Sequence, residues 1–145
     1  MPPTLRKASA VDADFMYRVI EITMRTYVEH TWGRFSEELS RKGVADMIGA
    51  GTASIIQFEG ADIGVLSVVR HVEHILLEQL YILPSHQNRG LGTSIVRAVV
   101  DEARRARKPV RLRLLAVNPV RRLYEREGFR VSSTTPERIY MELRV

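Results

Sequence analysis

At 145 residues, 45% of them hydrophobic and 27% charged, the chain has the balance of one ordinary globular domain spanning residues 1–145. It contains no cysteine, which excludes disulfides, zinc–thiolate sites and a cysteine nucleophile, and His30, His71, His74 and His86 show no metal-ligand spacing, so no metal is expected. There is no apolar run of membrane-spanning length and no signal-peptide pattern, so cytoplasm is the default location and no membrane partner is expected; the net charge of +5, from 22 Lys and Arg against 17 Asp and Glu, keeps a nucleic-acid partner in view only as an unlikely outcome.

Leu5 to Ala8 reads as a short first strand. A helix follows from about Ala13 to Glu29, N-capped by Ser9 or Asp12, with Phe15, Met16, Val19, Ile20, Ile22 and Met24 forming its apolar side. From Tyr27 to Glu38 the helical pattern breaks, and the break reads as a loop carrying Tyr27, Glu29, His30, Trp32 and Arg34. A loop of that composition lines an acceptor pocket or else forms a helix corner plugged by Trp32. Ser36 with Glu37 opens a second helix reaching Met47 or Ile48.

From Thr52 the period changes to that of strands. TASIIQF, the turn EGAD and IGVLSVVRH read as a hairpin, and VEHILLEQLYIL as a third antiparallel strand. Pro84 ends that strand, and Gly90 and Gly92 lead into a helix with Ile95, Val96, Val99, Val100, Ala103 and Ala106 on one face, stopped by Pro109. The basic run Arg104 to Arg113 divides between that helix's last turn, where cations complement the dipole, and the next strand. Val110 to Val117 is a strand, Pro119 to Glu127 a short helix closed by Gly128, and Phe129–Ser133 with Arg138–Val145 a final hairpin. The order βααβββαβαββ demands one parallel pair, joined by a right-handed crossover, within an otherwise antiparallel sheet.

The strand, glycine turn and helix from Leu77 onward aim backbone N–H groups and the positive end of a helix dipole at one small volume, which suits a phosphate. Glycine lets an anion approach the backbone closely. No Lys-Ser/Thr follows the glycines, and the third glycine of GxGxxG is missing, so nucleoside triphosphates and dinucleotides are poor candidates.

With QNRGLG at Gln87–Gly92 after one strand and LYEREGF after the next, the chain resembles the GNAT N-acetyltransferase superfamily. Gln87, Gly90 and Gly92 occupy the fixed positions of that family's acyl-CoA signature, Q/R-x-x-G-x-G/A. The resemblance implies an α/β (α+β) three-layer sandwich, with about four helices around a central mixed, mostly antiparallel sheet whose parallel pair splays apart. It implies acetyl-CoA, or coenzyme A, as cofactor, with the backbone of Gln87, Asn88, Arg89, Gly90, Leu91, Gly92 and Thr93 on the pyrophosphate and that of Tyr81, Ile82 and Leu83 along the pantetheine arm. Tyr124 matches the family's tyrosine beside the thioester sulfur; the bland alternative is an aromatic packing its helix against Leu123 and Phe129. Asn118 lies one residue short of the family's usual asparagine register and either contacts coenzyme A or caps the helix; Arg122, with Arg121, either meets a phosphate or is a solvated helix charge.

The implied reaction is direct attack of a primary amine on the thioester in a ternary complex. An amine is protonated near neutral pH and needs a base. Glu78, a carboxylate in an apolar central strand, is the candidate base or else an interior acid paired with an arginine. Glu29 is the reserve, and Tyr27, Glu29 and Trp32 are the candidate acceptor-binding residues. The acceptor is expected to be a small amine, an amino acid or a peptide; a homodimer is compatible with the family. The rival readings are a non-catalytic acyl-CoA-binding module and a basic nucleic-acid-binding protein.

Overall fold

The computed structural model describes residues 1–145. Seven strands, β1 (Thr4–Lys7), β2 (Ala53–Phe58), β3 (Ala61–Arg70), β4 (Ile75–Ile82), β5 (Val110–Leu115), β6 (Arg130–Thr134) and β7 (Arg138–Leu143), form one sheet in the order β1-β2-β3-β4-β5-β7-β6. Four α-helices, α1 (Ala13–Trp32), α2 (Glu37–Ala50), α3 (Leu91–Ala106) and α4 (Arg121–Arg126), complete the molecule. The element order and the mixed sheet are those expected. All strand pairs are antiparallel except β4 with β5.

The alternation of side chains along each strand divides the core between the two faces. On one face α1 and α2 bury Met16, Val19, Val44 and Met47 against Ala53, Ile55 and Val65. On the other, α3 and α4 bury Leu91, Ile95, Val96, Val99, Val100, Ala103 and Tyr124 against the opposite sides of β3, β4, β5 and β7. The result is a helix–sheet–helix sandwich. Outside the apolar layers, Arg6 holds the buried Asp12 at 2.8 and 3.0 Å and Asp62 at 3.0 Å, tying β1 to the start of α1 and to β3.

Four expectations are corrected. Tyr27 to Trp32 is not a loop: α1 runs on to Trp32, and Gly33, with φ 87°, ends it by donating its N–H to Glu29 O. Ile22 does not belong to the apolar side; it is 57% exposed, because the burying face of α1 runs through Met16, Val19 and Met24. Ala106 is exposed, since α3 has passed beyond the sheet by its last turn. That helix stops before Pro109 can act, at Arg107, whose φ of 55° and N–H bonds to Ala103 and Arg104 carbonyls close it.

Candidate active site

The site is organised by what β4 does along its length. At its start β4 has partners on both sides: Ile75 and Leu76 pair with β3 and, in parallel, with Val110 and Arg111 of β5. No further rung joins β4 to β5, and the strands part towards their carboxyl ends. Leu83 N–H bonds Ile63 O at 2.8 Å. By antiparallel alternation the neighbouring Ile82, opposite Gly64, therefore turns its N–H and C=O away from β3, into the gap. The Ile82 carbonyl accepts from Gln87 Nε2 at 2.8 Å. Gly64 allows β3 to lie close on this side, since a Cβ there would collide with the Tyr81 carbonyl.

Midway, the β3–β4 ladder carries a bulge. Ser67 pairs with Gln79 and Val68 with Leu77, so Glu78 is the extra residue. A bulge re-aims the side chain it carries. Glu78 turns to the α1/α2 face, where its Oε1 accepts from the buried Ser67 hydroxyl at 2.7 Å; Ser67 Oγ also lies 3.0 Å from Thr52 Oγ1. The partner of this interior carboxylate is a hydroxyl and not an arginine. Beside it, the Oε1 of Gln79 is buried with no hydrogen-bond donor.

After β4 the chain makes one 3-10 turn, Pro84–His86, and passes through Asn88 (φ 61°) and Gly90 (φ 77°) into α3. Both sit in the left-handed region that Gly and Asn tolerate best. No side chain caps α3 and no acid occupies its first turn. From Asn88 to Thr93 no backbone N–H has an acceptor within the protein; the first to find one is Ser94, which bonds Gly90 O at 3.0 Å. A run of free donors at the positive end of a helix dipole is an anion site. Gly90 has nothing within 4 Å of where a Cβ would stand, and Gly92 only the tips of Leu123 and Ile82 at 3.6 and 3.7 Å. The space over the turn is open.

Two clefts, of about 550 and 560 Å³, meet at the splay. The first covers the glycine turn and is walled by Tyr27, Asn118, Arg122 and Arg126. The second runs along the bulge, between α1 and α2 on one side and β5 and β7 on the other, with Trp32, Glu78, Gln79, Arg113, Tyr124 and Arg138 on its walls. Met24, Leu80, Tyr81, Asn118 and Val120 line both.

Tyr124 lines the second cleft, next to Val120 of the shared wall on the same helical segment. It is 4% exposed, packs edge-on to Phe129 at 5.5 Å and faces the opening, so packing and access coexist. Burial, and after it the neighbouring Tyr81 phenol, pushes its own phenol up from the usual tyrosine value. Tyr81 is likewise pushed up to about 12 by burial first and the Glu78 charge second, with Arg113 and Arg138 opposing. Both phenols keep their protons throughout the neutral range.

The structure thus brings together Tyr81, Ile82, Leu83, the turn from Gln87 to Thr93, Asn118, Arg122, Tyr124 and Glu78. Asn118 Oδ1 accepts Val120 N–H at 3.0 Å, a cap on the turn into α4, while its side chain borders both clefts. Tyr27 and Trp32 reach the clefts from the last turns of α1, one in each. Glu29 reaches neither: it lies on the outer side of α1, 3.5 Å from Arg25. Sequence reasoning assigned Tyr81 only through its backbone and passed over Arg126, although an i,i+4 spacing from Arg122 puts both on one face of α4. It placed Ser132 to Tyr140 among the segments lining an acceptor pocket but did not single out Arg138 or pair it with Arg113, since their approach depends on the β5–β7 pairing.

A helix–sheet–helix sandwich with one splayed parallel pair and a glycine turn at its mouth is a GNAT-like fold. Residues 49–131 match the acetyltransferase (GNAT) domain family, and the chain belongs to that family of acetyltransferases. No curated protein sequence matches it. Among solved structures, the chain is similar to the PaiA N-acetyltransferase of Thermoplasma acidophilum in complex with coenzyme A, at 18% identity and a TM-score of 0.77, over 100% of both chains. It is also similar to an acetyltransferase of Thermus thermophilus, with 17% identity, a TM-score of 0.80, and 100% and 98% of the two chains covered. The ribosomal-protein-S18-alanine N-acetyltransferase of Escherichia coli aligns at 19% identity and a TM-score of 0.74, over 99% of this chain and 94% of that one. At such identities the likeness is one of fold.

Proposed function

We propose that the protein, as a single domain over residues 1–145, moves the acetyl group of acetyl-CoA to a primary amine by direct attack in a ternary complex. The observation that carries this reading is the run of acceptor-free N–H groups from Asn88 to Thr93, opening beside a strand edge that lacks its neighbour. The first fits a pyrophosphate and the second fits the amide-bearing arm of coenzyme A, which can add to a sheet edge. Arg122 and Arg126, neither with an acidic partner, stand ready on the phosphate side. Acetyl-CoA supplies an activated acyl carbonyl and a thiolate leaving group.

The chain's own residues do the rest. The Ile82 N–H, turned into the gap, holds the arm along the open edge of β4. Tyr124, protonated and largely dry, gives the departing sulfur a hydrogen bond and keeps its proton, since a thiolate is a far weaker base than a buried phenolate; the sulfur leaves as the thiolate. Glu78, held by Ser67, takes the proton of the incoming amine, directly or through a water. The second cleft receives the amine. This assigns cofactor and acceptor to opposite mouths of one opening, which is what a direct transfer requires.

Thermal unfolding with saturating acetyl-CoA, coenzyme A, ATP and NADH tests the reading. A ligand bound only by the native state adds RT ln(1 + [L]/Kd), or ~2.7 kcal/mol at a hundredfold excess over Kd. A shift with the thioester and the thiol but not with NADH is expected. Equal behaviour of all four would remove the glycine turn from any specific role.

A further inference from the structure

The walls of the second cleft differ in charge from end to end. On the α1/α2 face of the β5–β7 ladder successive rungs are Arg111 with Glu142, Arg113 with Tyr140, and Leu115 with Arg138. The first rung is neutralised, by an ion pair of 2.8 Å. Where the ladder enters the cleft the compensation stops: neither the exposed Arg113, at the cleft's rim, nor the half-buried Arg138 has a carboxylate partner or any side-chain hydrogen bond. Arg138 has only the Trp32 ring, 5.9 Å from its guanidinium carbon. A half-buried guanidinium such as that of Arg138 is costly without an anion, and the planar fork of either arginine matches a carboxylate. Across the cleft, the β4 bulge offers the opposite chemistry. Glu78 and the unpartnered buried Gln79 Oε1 are acceptors in need of N–H donors.

The geometry points to an acceptor that is an aminocarboxylate: its amine lies against Glu78 and Gln79, and its carboxylate lies between Arg113 and Arg138. Tyr81 lines the same cleft, and its phenol feels the charges of Glu78, Arg113 and Arg138 together. The inference rests on the acetyl-transfer reading and adds the substrate class. It disfavours diamines and polyamines, since their second cation would meet the two arginines.

The test compares matched acceptors by thiol release from acetyl-CoA: leucine and phenylalanine, the amines obtained by removing their carboxylates, a diamine, and short peptides with an acidic or a neutral second residue. A preference of at least about tenfold in kcat/KM for carboxylate-bearing members is expected. In R113Q/R138Q that ratio should collapse, chiefly through KM for the acids. Preference for free amino acids or for acidic peptides identifies the source of the carboxylate. Equal rates within each pair, a preference for the diamine, or no turnover of any acid in a protein that still shows the coenzyme A melting shift would overturn the inference and leave the cofactor reading standing. If the shift is itself absent, both fall. R113K/R138K keeps the charge without the fork, so partial recovery there separates recognition from a folding defect.

Discussion

Two helices in this protein begin in opposite ways. The start of α2 is complete in itself: Ser36 Oγ accepts the Leu39 N–H at 3.1 Å, and Glu37 and Glu38 stand in the first turn against the positive end of the dipole. The start of α3 has neither device. A left-handed glycine occupies the cap position, no acid follows, and the amides before and within the first turn have no acceptor. A cap of the Ser36 kind contributes about 1 kcal/mol. Its absence at the most amphipathic helix of the fold, buried along one side by Leu91, Ile95, Val96, Val99 and Val100, shows that α3 is anchored by packing and does not need its own end satisfied. One helix start is finished by the chain and the other is left open.

The contrast can be broken most severely by giving α3 what α2 already has. Gly92→Glu puts an acid in the first turn at a position with ordinary φ and only two side-chain tips nearby. Without ligand the variant should melt at or slightly above the wild-type temperature, because a carboxylate there complements the dipole by roughly 0.3–1 kcal/mol. With coenzyme A its affinity should fall at least about a hundredfold, near 2.7 kcal/mol. An unchanged shift in the folded variant would show that the turn does not face the phosphates. Gly90→Glu is the poorer instrument: at φ 77° any side chain adds backbone strain to the lost affinity.

Next in size is Tyr124→Phe, which keeps the ring against Phe129 and removes the hydroxyl hydrogen-bond donor from the wall of the second cleft. Turnover should drop about a hundredfold, within the range for losing one hydrogen-bond donor to developing charge, with the coenzyme shift retained. Full activity would leave the residue to packing alone and revive a different donor.

Alkaline unfolding supplies a subtler check on the dry end of the opening. Tyr81 and Tyr124 are both raised above the ordinary value near 10 of an unfolded chain. Each therefore holds protons more tightly when folded. Their contribution to stability is full below pH ~10 and is lost as pH climbs through about 12, the value for Tyr81. Melting temperatures between pH 8 and 12 should decline beyond pH ~10, less steeply in Tyr124→Phe. Parallel curves would mean that the Tyr124 phenol is wet in the native state.

The smallest effect belongs to the finished helix. Ser36→Ala should cost about 1 kcal/mol and leave the coenzyme shift untouched. A change in coenzyme affinity on this substitution would dissolve the distinction between the two helix starts.

Much of this arrangement was legible from local chemistry. The glycine turn declares itself because Gly90 adopts a φ that other residues avoid, and α3 because its apolar residues recur at helical spacing. The end of α1 was misread since Tyr27, His30 and Trp32 interrupt the apolar stripe, whereas helix continuation there is supported by Thr31, whose hydroxyl bonds Tyr27 O at 2.8 Å, and by Gly33 one residue later. The bulge at Glu78 carries no local mark. It exists only through the register with β3, and so the fact that Glu78 shares a face with Gln79 and Tyr81 could not be read from a period of two. Arg113 and Arg138, separated along the chain and joined across β5 and β7, are of the same kind: their lack of acids is a property of the ladder, not of either segment.

The splay between β4 and β5 has one more consequence. With a single parallel contact of two rungs, the sheet is two panels, β1 to β4 and β5-β7-β6, stitched along a short seam at the end remote from the glycine turn. A molecule seated in the gap would act as a second row of stitches at the open end. Amide hydrogens flanking the gap, in β4 from Leu80 to Ile82 and in β5 from Arg113 to Leu115, should then exchange more slowly with coenzyme A present, while those in β1 and β2, far from the seam, keep their pace.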